Sequence, residues 1–466
     1  MNANNHHQTN LIFAPSMAEN KKNPVWELFS SVRLALFLLF TMAATSIIGT
    51  IILQNQPSNF YVEHYGANMA RFMQALDVPD MYNSWWFMVI LTLFSLNLIV
   101  CSLERIPNAW RLVTMDNLAA EPEGLKKMGL HRSIPLGGPL PVAVNKTAAL
   151  LAGKGWKAER RDLDGATLLF AQKGAWTRFG VYIVHTSILI ILIGSLIGSP
   201  RVAKDILKNP FYAFKGSVNI PETQQTDVIY SFLEGVGQLP LGFTVRCDFF
   251  TIDYYPNGMP KEYLSKLTVI EDGKVVLQQD VEVNKPLIYK GITFYQSSYQ
   301  PYEDFIITVR NNRTGASTTE LIPPAIEVPW KEGGARFGVI NMEARGEAVS
   351  RIKIWFTDDQ GEPSKFWLEP GREALIKRST GDYTFSAKQL YATGLQVAKD
   401  PGVWWVYGGC GLMLLGLMVA FFMSHRKVWV LVSEERGKVT VLFAGNANKN
   451  KLGFEKTFAE LADSLR

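Results

Sequence analysis

The most prominent pattern along the chain is a set of four uninterrupted apolar runs. Each run has 19 to 21 residues and contains no Asp, Glu, Lys or Arg. A bilayer core about 30 Å thick is crossed by roughly 20 helical residues. The pattern therefore predicts four transmembrane helices, at residues 34–53, 85–103, 179–198 and 403–423.

The charges between these runs predict their orientation, because short loops rich in Lys and Arg stay in the cytoplasm. Loop 54–84 has Arg71 as its one basic residue, whereas loop 104–178 has twelve. Basic residues also lie close to the first run and directly after the fourth. Both termini are therefore predicted to be cytoplasmic, and segment 199–402 to lie outside.

The predicted division of the chain has nine segments. They are a cytoplasmic N-terminal segment 1–33, transmembrane helix 34–53, an outer loop 54–84, transmembrane helix 85–103, a cytoplasmic α/β segment 104–178, transmembrane helix 179–198, an outer β domain 199–402, transmembrane helix 403–423 and a cytoplasmic tail 424–466.

Segment 199–402 alternates apolar and polar positions with a period of two, which is typical of strands. The alternating stretches are 242–254, 263–270, 274–283, 292–298, 305–310 and 352–356. Turn signals stand at Asp272-Gly273 and at Pro256-Asn257-Gly258. We predict an antiparallel β-sandwich or open barrel.

The two cytoplasmic segments predict small α/β elements. Segment 104–178 indicates a helix at 145–152 and a hairpin that turns at Asp164-Gly165, and the tail indicates a hairpin at 429–443 and an amphipathic helix at 454–465. The fold class is thus an α-helical membrane protein with four spans, a large all-β extracytoplasmic domain and small cytoplasmic α/β elements.

Composition narrows the function classes. Apolar residues make up 47% of the chain and charged residues 19%, which excludes a disordered chain. The net charge is +5, but the basic residues are dispersed, so we expect no nucleic-acid binding. The first 24 residues lack Arg and a small-residue cleavage motif, which argues against a transit peptide or a cleaved signal peptide.

The three cysteines are too far apart for a CxxC redox pair or a zinc site. Cys247 is the one cysteine of the outer segment, so it cannot form a bridge within that segment. It could stay free, pair with a partner or have no role. Dithiol chemistry, if needed, must come from another protein.

His185 interrupts the apolar pattern of the third run with an ionisable imidazole. It lies six residues, roughly 9 Å, beyond Phe179. An imidazole at that depth is costly without a partner, so it indicates a haem ligand, a proton relay or a neutral ring bonded to a neighbouring helix. The runs hold no further His or acidic residue, which favours ligation of haem iron, with the second axial ligand from a partner subunit.

The glycines of the same run predict its packing side. Gly194 and Gly198 form a GxxxG pair that allows a second helix to approach closely. At 100° per residue, Gly194 points about 180° away from His185. The helix can therefore pack on one side and present its imidazole on the other.

Three other residues are weaker cofactor candidates. Arg178 lies two turns before His185 and could meet a haem propionate, or simply mark the inner border. His425 could contact the cofactor or act as a cation at the C-terminus of the fourth span. His64 could be a solvated side chain or an outer ligand. The remaining candidates are expected at the surface, in packing or in helix bridging, and are His6, His7, His131, Cys101, Cys410 and Asn97.

Several longer stretches carry a family resemblance. They are SSVRLALFLLFTMAATSIIGT in the first run, YNSWWF and NLIVCSLERIPNAW around the second, GVYIVHTSILIILIGSLIG in the third, VNKPLIYKGITFYQSSYQ at 283–300, and KDPGVWWVYGG and SHRKVWV around the fourth. Together they resemble the ResB family, the membrane component of system II cytochrome c biogenesis, from about Trp26 to Leu465. The stretch at 283–300 is the most specific of them.

The resemblance implies a multi-pass protein of the bacterial inner membrane, in contact with lipid, that works with a CcsA-type partner. The pair would move b-type haem outward and attach it to the CxxCH cysteines of apocytochrome c, which a thioredoxin-like protein keeps reduced. His185 takes the place of the family's intramembrane histidine. The partner's tryptophan-rich motif is not found, so the chain resembles the separate ResB half, which is not catalytic alone but part of a haem lyase complex.

The β domain is expected to hold apocytochrome c, through a sheet edge that captures an extended segment. Two alternatives stay open at the level of sequence. One is a haem b electron-transfer subunit, and the other is a membrane-anchored outer binding scaffold without a cofactor.

Overall fold

The computed structural model describes residues 23–54, 56, 58–233, 235–256, 259–345, 348–435 and 437–465. The chain divides into two compact units, Met1–Leu192 with Trp405–Arg466, and Ile193–Trp404. We call them the helical unit and the β unit.

Eleven α-helices are present in the described residues. They are α1 Pro24–Phe29, α2 Val32–Ile51, α3 Ser58–Tyr65, α4 Ala67–Ala75, α5 Trp85–Thr114, α6 Pro122–Lys126, α7 Leu140–Gly153, α8 Gly180–Ile197, α9 Pro200–Asp205, α10 Val403–Phe422 and α11 Lys451–Asp463.

Nineteen strands are present in the same residues. They are β1 Leu130–Leu136, β2 Ala158–Leu163, β3 Ala166–Lys173, β4 Phe214–Pro221, β5 Gln225–Ser231, β6 Gln238–Tyr254, β7 Pro260–Glu271, β8 Lys274–Val281, β9 Leu287–Tyr289, β10 Ile292–Asn311, β11 Ser317–Ile322, β12 Glu327–Trp330, β13 Ala335–Arg345, β14 Ala348–Thr357, β15 Ser364–Leu368, β16 Glu373–Arg378, β17 Gly381–Lys399, β18 Arg426–Glu435 and β19 Lys438–Ala447.

Four helices of the described chain are long and apolar enough to cross a membrane, as the apolar runs predict. They are α2, α5, α10 and the span Ala175–Ile197, in which a short 3-10 turn leads into α8. The structure therefore confirms the prediction of a membrane protein with four apolar helices. Helix α5 continues past Pro107 to Thr114, so it carries polar residues beyond its apolar part.

The loop between α2 and α5 contains helices that the sequence pattern does not predict. Helices α3 and α4 are separated by Gly66, whose φ of 79° allows the chain to change direction between them. Both are under ten residues long. Such short segments give little periodic signal, because a helical period needs about 11 residues to be recognised.

The helical unit also contains a five-stranded antiparallel sheet in the order β1-β19-β18-β3-β2. Helices α7 and α11 cover one face through a core that includes Leu151 and Phe458. Leu125 of α6 contributes to a second core with Phe170 and Trp429. The predicted hairpin at Asp164-Gly165 joins β2 to β3, and the segment before α8 and the tail after α10 thus build one sheet.

The β unit consists of antiparallel strands in two sheets. The larger sheet follows the order β11-β10-β17-β4-β5-β6-β7-β8, with β9 and β16 paired to β10 and β17, and it is not a closed barrel. The smaller sheet has the order β12-β13-β14-β15. The structure thus confirms a large antiparallel β region.

Two long strands, β10 and β17, serve both hydrophobic cores of the β unit. Phe294 and Val397 belong to a core that strands β4 to β9 also line, whereas Ile307 and Phe385 belong to a core shared with the four-stranded sheet. The two sequence-predicted strands at 292–298 and 305–310 are therefore one strand, and that part of the prediction is wrong.

The reason is a change of register inside β10. Its pairing with β17 shifts between Pro301 and Phe305, and this irregularity interrupts the alternation from which strands are recognised. The predicted turn at Asp272-Gly273 is confirmed, with φ values of 49° and 74° that suit a two-residue hairpin. At the other predicted turn, Asn257 and Gly258 lie outside the described residues.

Candidate functional site

His185 lies in α8 and is hydrogen-bonded to α5. Its Nδ1 is 2.8 Å from Oγ of Ser102, and that hydroxyl donates to the carbonyl of Leu98, one turn earlier in α5, at 2.7 Å. The ring is partly buried. Helix α5 thus supplies the neighbouring-helix contact that an imidazole within an apolar span requires.

The proton arrangement follows from counting hydrogens. A serine hydroxyl has one hydrogen, so both contacts are hydrogen bonds only when that hydrogen goes to the carbonyl of Leu98, which can only accept. Oγ of Ser102 therefore accepts, and Nδ1 of His185 donates. The neutral ring then carries its free lone pair on Nε2, for which the described residues offer no hydrogen-bond partner.

Aromatic rings continue from His185 towards the start of α8. Tyr182 stands edge-on to the imidazole with ring centroids 6.3 Å apart, and Phe179 lies 6.3 Å from Tyr182. Trp110 of α5 lies 6.1 Å from Phe179. The imidazole therefore stands at one end of a row of partly exposed rings between α5 and α8.

The opposite side of α8 packs closely against α10. A Cβ on Gly416 would come within 2.9 Å of the backbone nitrogen of Val184, and one on Gly409 within 3.1 Å of the carbonyl of Ser187. Within the β unit, a Cβ on Gly198 of the predicted GxxxG pair would meet the side chain of Asp400, which precedes α10. The close approach of α10 to α8 thus takes place at glycines of α10, and His185 faces another neighbour, α5.

His425 occupies a contrasting site directly before β18. It is 1% exposed, its Nδ1 accepts a hydrogen bond from Nε of Arg178 at 3.0 Å, and its Nε2 lies 2.9 Å from Oε1 of Gln172. Because Arg178 can only donate, Nδ1 is unprotonated and Nε2 carries the hydrogen that Gln172 accepts. Both ring nitrogens are thus used within the protein.

The electrostatics of His425 agree with that arrangement. Burial, followed by the charges of Lys427 and Arg178, lowers the pKa of His425 to about 4. The ring is therefore neutral near pH 7 and does not act as the cation that its position after the fourth span suggests. Arg178, predicted to meet a propionate or to mark the inner border, is engaged by this histidine.

The remaining candidates have structural surroundings. The Asn97 amide donates to the carbonyls of Phe29 and Ser31 and so bridges helices, as expected. His64 is exposed; its ring centroid lies 4.0 Å from that of Phe60, and its Nδ1 is hydrogen-bonded to the carbonyl of Phe60. His131 is also exposed.

The cysteines offer no accessible dithiol. Cys247 is fully buried, and burial raises the pKa of its thiol to about 12. Cys101 is buried and Cys410 is exposed. His6 and His7 lie outside the described residues. Across the described chain, no group of three or more His, Cys, Asp and Glu side chains is placed to hold a metal ion.

Two residues that shape these sites, Ser102 and Gln172, are not indicated by the sequence. Ser102 lies 83 positions from His185, and Gln172 lies 253 positions from His425. A serine in an apolar helix commonly bonds its own backbone, so nothing in the sequence distinguishes Ser102 from Ser95, which bonds Leu91.

The chain is similar along most of its length to one protein family and to proteins that share one name. The model of the ResB-like family matches residues 32–363 and 348–459. A "Cytochrome c biogenesis protein CcsB" of Gloeobacter violaceus is 29% identical over 458 residues, covering 94% of this chain and 90% of that protein. One of the same name from Thermosynechococcus vestitus is 27% identical, covering 95% and 96% respectively. This chain, with its four apolar helices and large β unit, belongs to the ResB-like family.

Proposed function

We propose that this protein is a membrane subunit of cytochrome c biogenesis that works with a CcsA-type, tryptophan-rich partner to pass haem outward across the membrane. The pathway is suggested by the relatives named CcsB. The observation that carries the proposal is the imidazole of His185, held by Ser102 in an apolar helix with its Nε2 lone pair unused.

The chemistry of this imidazole suits iron. A neutral histidine is a common axial ligand of haem, and ligating histidines usually donate the N–H of their second ring nitrogen to an acceptor that fixes the tautomer. Ser102 is such an acceptor. His185 is the one histidine in the four apolar helices, so a second axial ligand would come from the partner.

The position of the site fits entry from the cytoplasm. The basic loop 104–178 favours a cytoplasmic location for the start of α8. His185 would then lie near the inner border, where b-type haem made inside the cell meets an apolar helix face. In this topology the β unit lies outside, and both termini lie in the cytoplasm of a bacterium.

The β unit would present apocytochrome c for attachment of haem to its CxxCH cysteines. The larger sheet ends in strands β8 and β11, and a sheet edge can pair with an extended segment of another chain. The buried thiol of Cys247, with its pKa raised to about 12, is unsuited to reduce those cysteines. A thioredoxin-like protein would supply that reduction, and the partner would share the attachment chemistry.

The test is the reduced-minus-oxidised spectrum of the complex purified with its partner. We expect His185→Ala to remove the co-purified haem absorbance while the protein remains inserted in the membrane. His131→Ala is the matched control, because it removes an exposed imidazole bonded to Met128 in the helical unit. Normal haem content in His185→Ala would refute the ligand role.

A second candidate function, a membrane-anchored scaffold without a cofactor, is favoured by one observation. The bond to Ser102 satisfies part of the imidazole's hydrogen-bonding capacity without any ligand. This candidate predicts that the wild-type complex contains no haem bound through this chain. The same spectrum therefore separates the two functions.

The role of the β unit has a separate test. Deletion of residues 205–398 leaves all four apolar helices in the chain. We expect the shortened protein to keep haem binding at His185, which also reports that its helices are folded, and to lose cytochrome c maturation. Retained maturation would remove the β unit from the mechanism.

A further inference from the structure

A face formed by α5 and α8 extends beyond His185. Two contacts fix how the helices run here, since Ser102 meets His185 and Trp110 meets Phe179. Positions increase along α5 while they decrease along α8, so the two segments are antiparallel. The residues of α5 between positions 102 and 110 therefore lie opposite the first turns of α8.

Arg105 lies in that interval. It follows Ser102 by three positions, which places it on the same side of α5 and about 4.5 Å farther along the helix axis. Its guanidinium is close enough to act electrostatically on both Tyr182 and His185. A positive charge therefore stands beside the row of rings, on the side of the imidazole that leads towards Trp110.

The charge of Arg105 is not neutralised within the described chain. The side chain is exposed, and the structure provides it with neither a hydrogen-bond acceptor nor a carboxylate partner among the residues it describes. Arg178, the other arginine close to the start of α8, donates to His425 instead. Arg105 is therefore a cation with all its donors available to a ligand at this face.

The face combines three chemical features. It has an imidazole nitrogen with a free lone pair, flat aromatic surface at Tyr182 and Phe179, and an available guanidinium. A planar metalloporphyrin with carboxylate substituents matches all three. A carboxylate at the edge of an apolar region is costly unless it is paired, and a guanidinium can bind it through two parallel hydrogen bonds.

We propose that Arg105 binds a carboxylate of the porphyrin whose iron is held by His185. This inference rests on the proposed function, since it assumes a haem at His185. It assigns recognition of the carboxylates to α5 and ligation of the iron to α8. Both parts of the ligand are then held by the same pair of helices.

The experiment compares two porphyrins in the purified complex with its partner. One is haem, and the other is haem dimethyl ester, in which both carboxylates are blocked. We expect Arg105→Gln to weaken haem binding about tenfold while the absorption maxima of the histidine-ligated iron stay unchanged. The ester should bind the wild-type and Arg105→Gln complexes equally, which also shows that the variant is folded.

Arg111→Gln is the matched control. Arg111 lies six positions farther along α5 and is bonded to Asn108, so its loss should leave the haem affinity unchanged. Arg105→Lys keeps the positive charge without the planar fork, and we expect it to recover part of the affinity lost in Arg105→Gln.

The outcomes separate this inference from the proposed function. Equal haem affinity of the wild-type and Arg105→Gln complexes would overturn the role of Arg105 while leaving His185 as the ligand. An equal loss for haem and ester would also overturn it, because the effect would not depend on the carboxylates. A wild-type complex that binds neither porphyrin would overturn the proposed function, and with it this inference.

Discussion

His185 lies within an apolar helix and His425 shortly after one, and they differ in how many of their ring nitrogens are bonded within the protein. His425 is 1% exposed, and both its ring nitrogens are bonded within the protein. His185 lies inside α8, is partly buried and uses Nδ1 alone among the described residues. Unused bonding capacity, more than depth in an apolar helix, therefore separates a ligand candidate from a structural imidazole.

The surroundings of His425 explain its structural role. It links Gln172 of β3 with Arg178 in the turn before α8, and it immediately precedes β18. Two neighbouring segments, β3 and the turn before α8, are thus joined through one neutral ring to a segment about 250 positions later in the chain. His185 joins two helices by a single bond, which leaves room for a ligand.

Loss of the His425 ring should strongly destabilise the protein. His425→Ala removes the partner of both Gln172 and Arg178 and leaves a cavity, which should lower the free energy of unfolding by about 4 kcal/mol. His185→Ala removes one hydrogen bond and should cost about 1 kcal/mol. Thermal unfolding of the two purified variants without haem measures the difference. Equal losses would show that the two rings contribute alike to stability.

The second prediction concerns pH. The pKa of His425 is lowered to about 4, below the ordinary histidine value of about 6.5. As the pH falls from about 6.5 to 4, the unfolded chain binds a proton that the folded protein does not bind, so stability decreases. The contribution of His425 to the free energy of unfolding should fall by about 3 kcal/mol over this range. Above pH 6.5 that contribution is constant.

The control for the pH effect is His425→Asn, which has no titrating ring. We expect its stability to fall less than that of the wild type between pH 6.5 and 4, because it lacks the contribution of His425. The other groups titrate equally in both proteins. Wild-type and variant curves that run parallel through this range would show that His425 is not held neutral.

Loss of the Ser102 hydroxyl should have a smaller effect, on haem affinity. Ser102→Ala removes the acceptor that orients the ring of His185, and loss of such a partner typically weakens metal binding by at least about tenfold, or about 1.4 kcal/mol. Titration of the purified complex with haem measures the affinity. Ser95→Ala is the matched control, since Ser95 bonds its own helix at Leu91 in the same way. Unchanged haem affinity in Ser102→Ala would show that contacts other than Ser102 orient the ring of His185.

Features that depend on local pattern could be predicted from the sequence. The four apolar helices follow from run length, and the turns at Asp164-Gly165 and Asp272-Gly273 follow from local backbone chemistry. The continuous β10 could not be recognised, because its alternation is interrupted near Pro301.

The candidate site likewise has one residue that the sequence predicts and partners that it does not. His185 is conspicuous in the sequence because an imidazole is costly in an apolar run. Its partner Ser102, and the bonds of His425 to Arg178 and Gln172, join residues between 83 and 253 positions apart. Such contacts depend on how the helices and the five-stranded sheet pack, and no spacing in the sequence encodes them.

Chemical rescue is the decisive test of iron ligation by His185. His185→Gly opens space at the proposed ligand position, and added imidazole can then bind the iron in place of the missing side chain. We expect imidazole to restore the absorption spectrum of histidine-ligated haem in the His185→Gly complex, whereas His425→Gly should retain that spectrum without it. A His185→Gly complex that keeps the wild-type spectrum before imidazole is added would contradict ligation by His185.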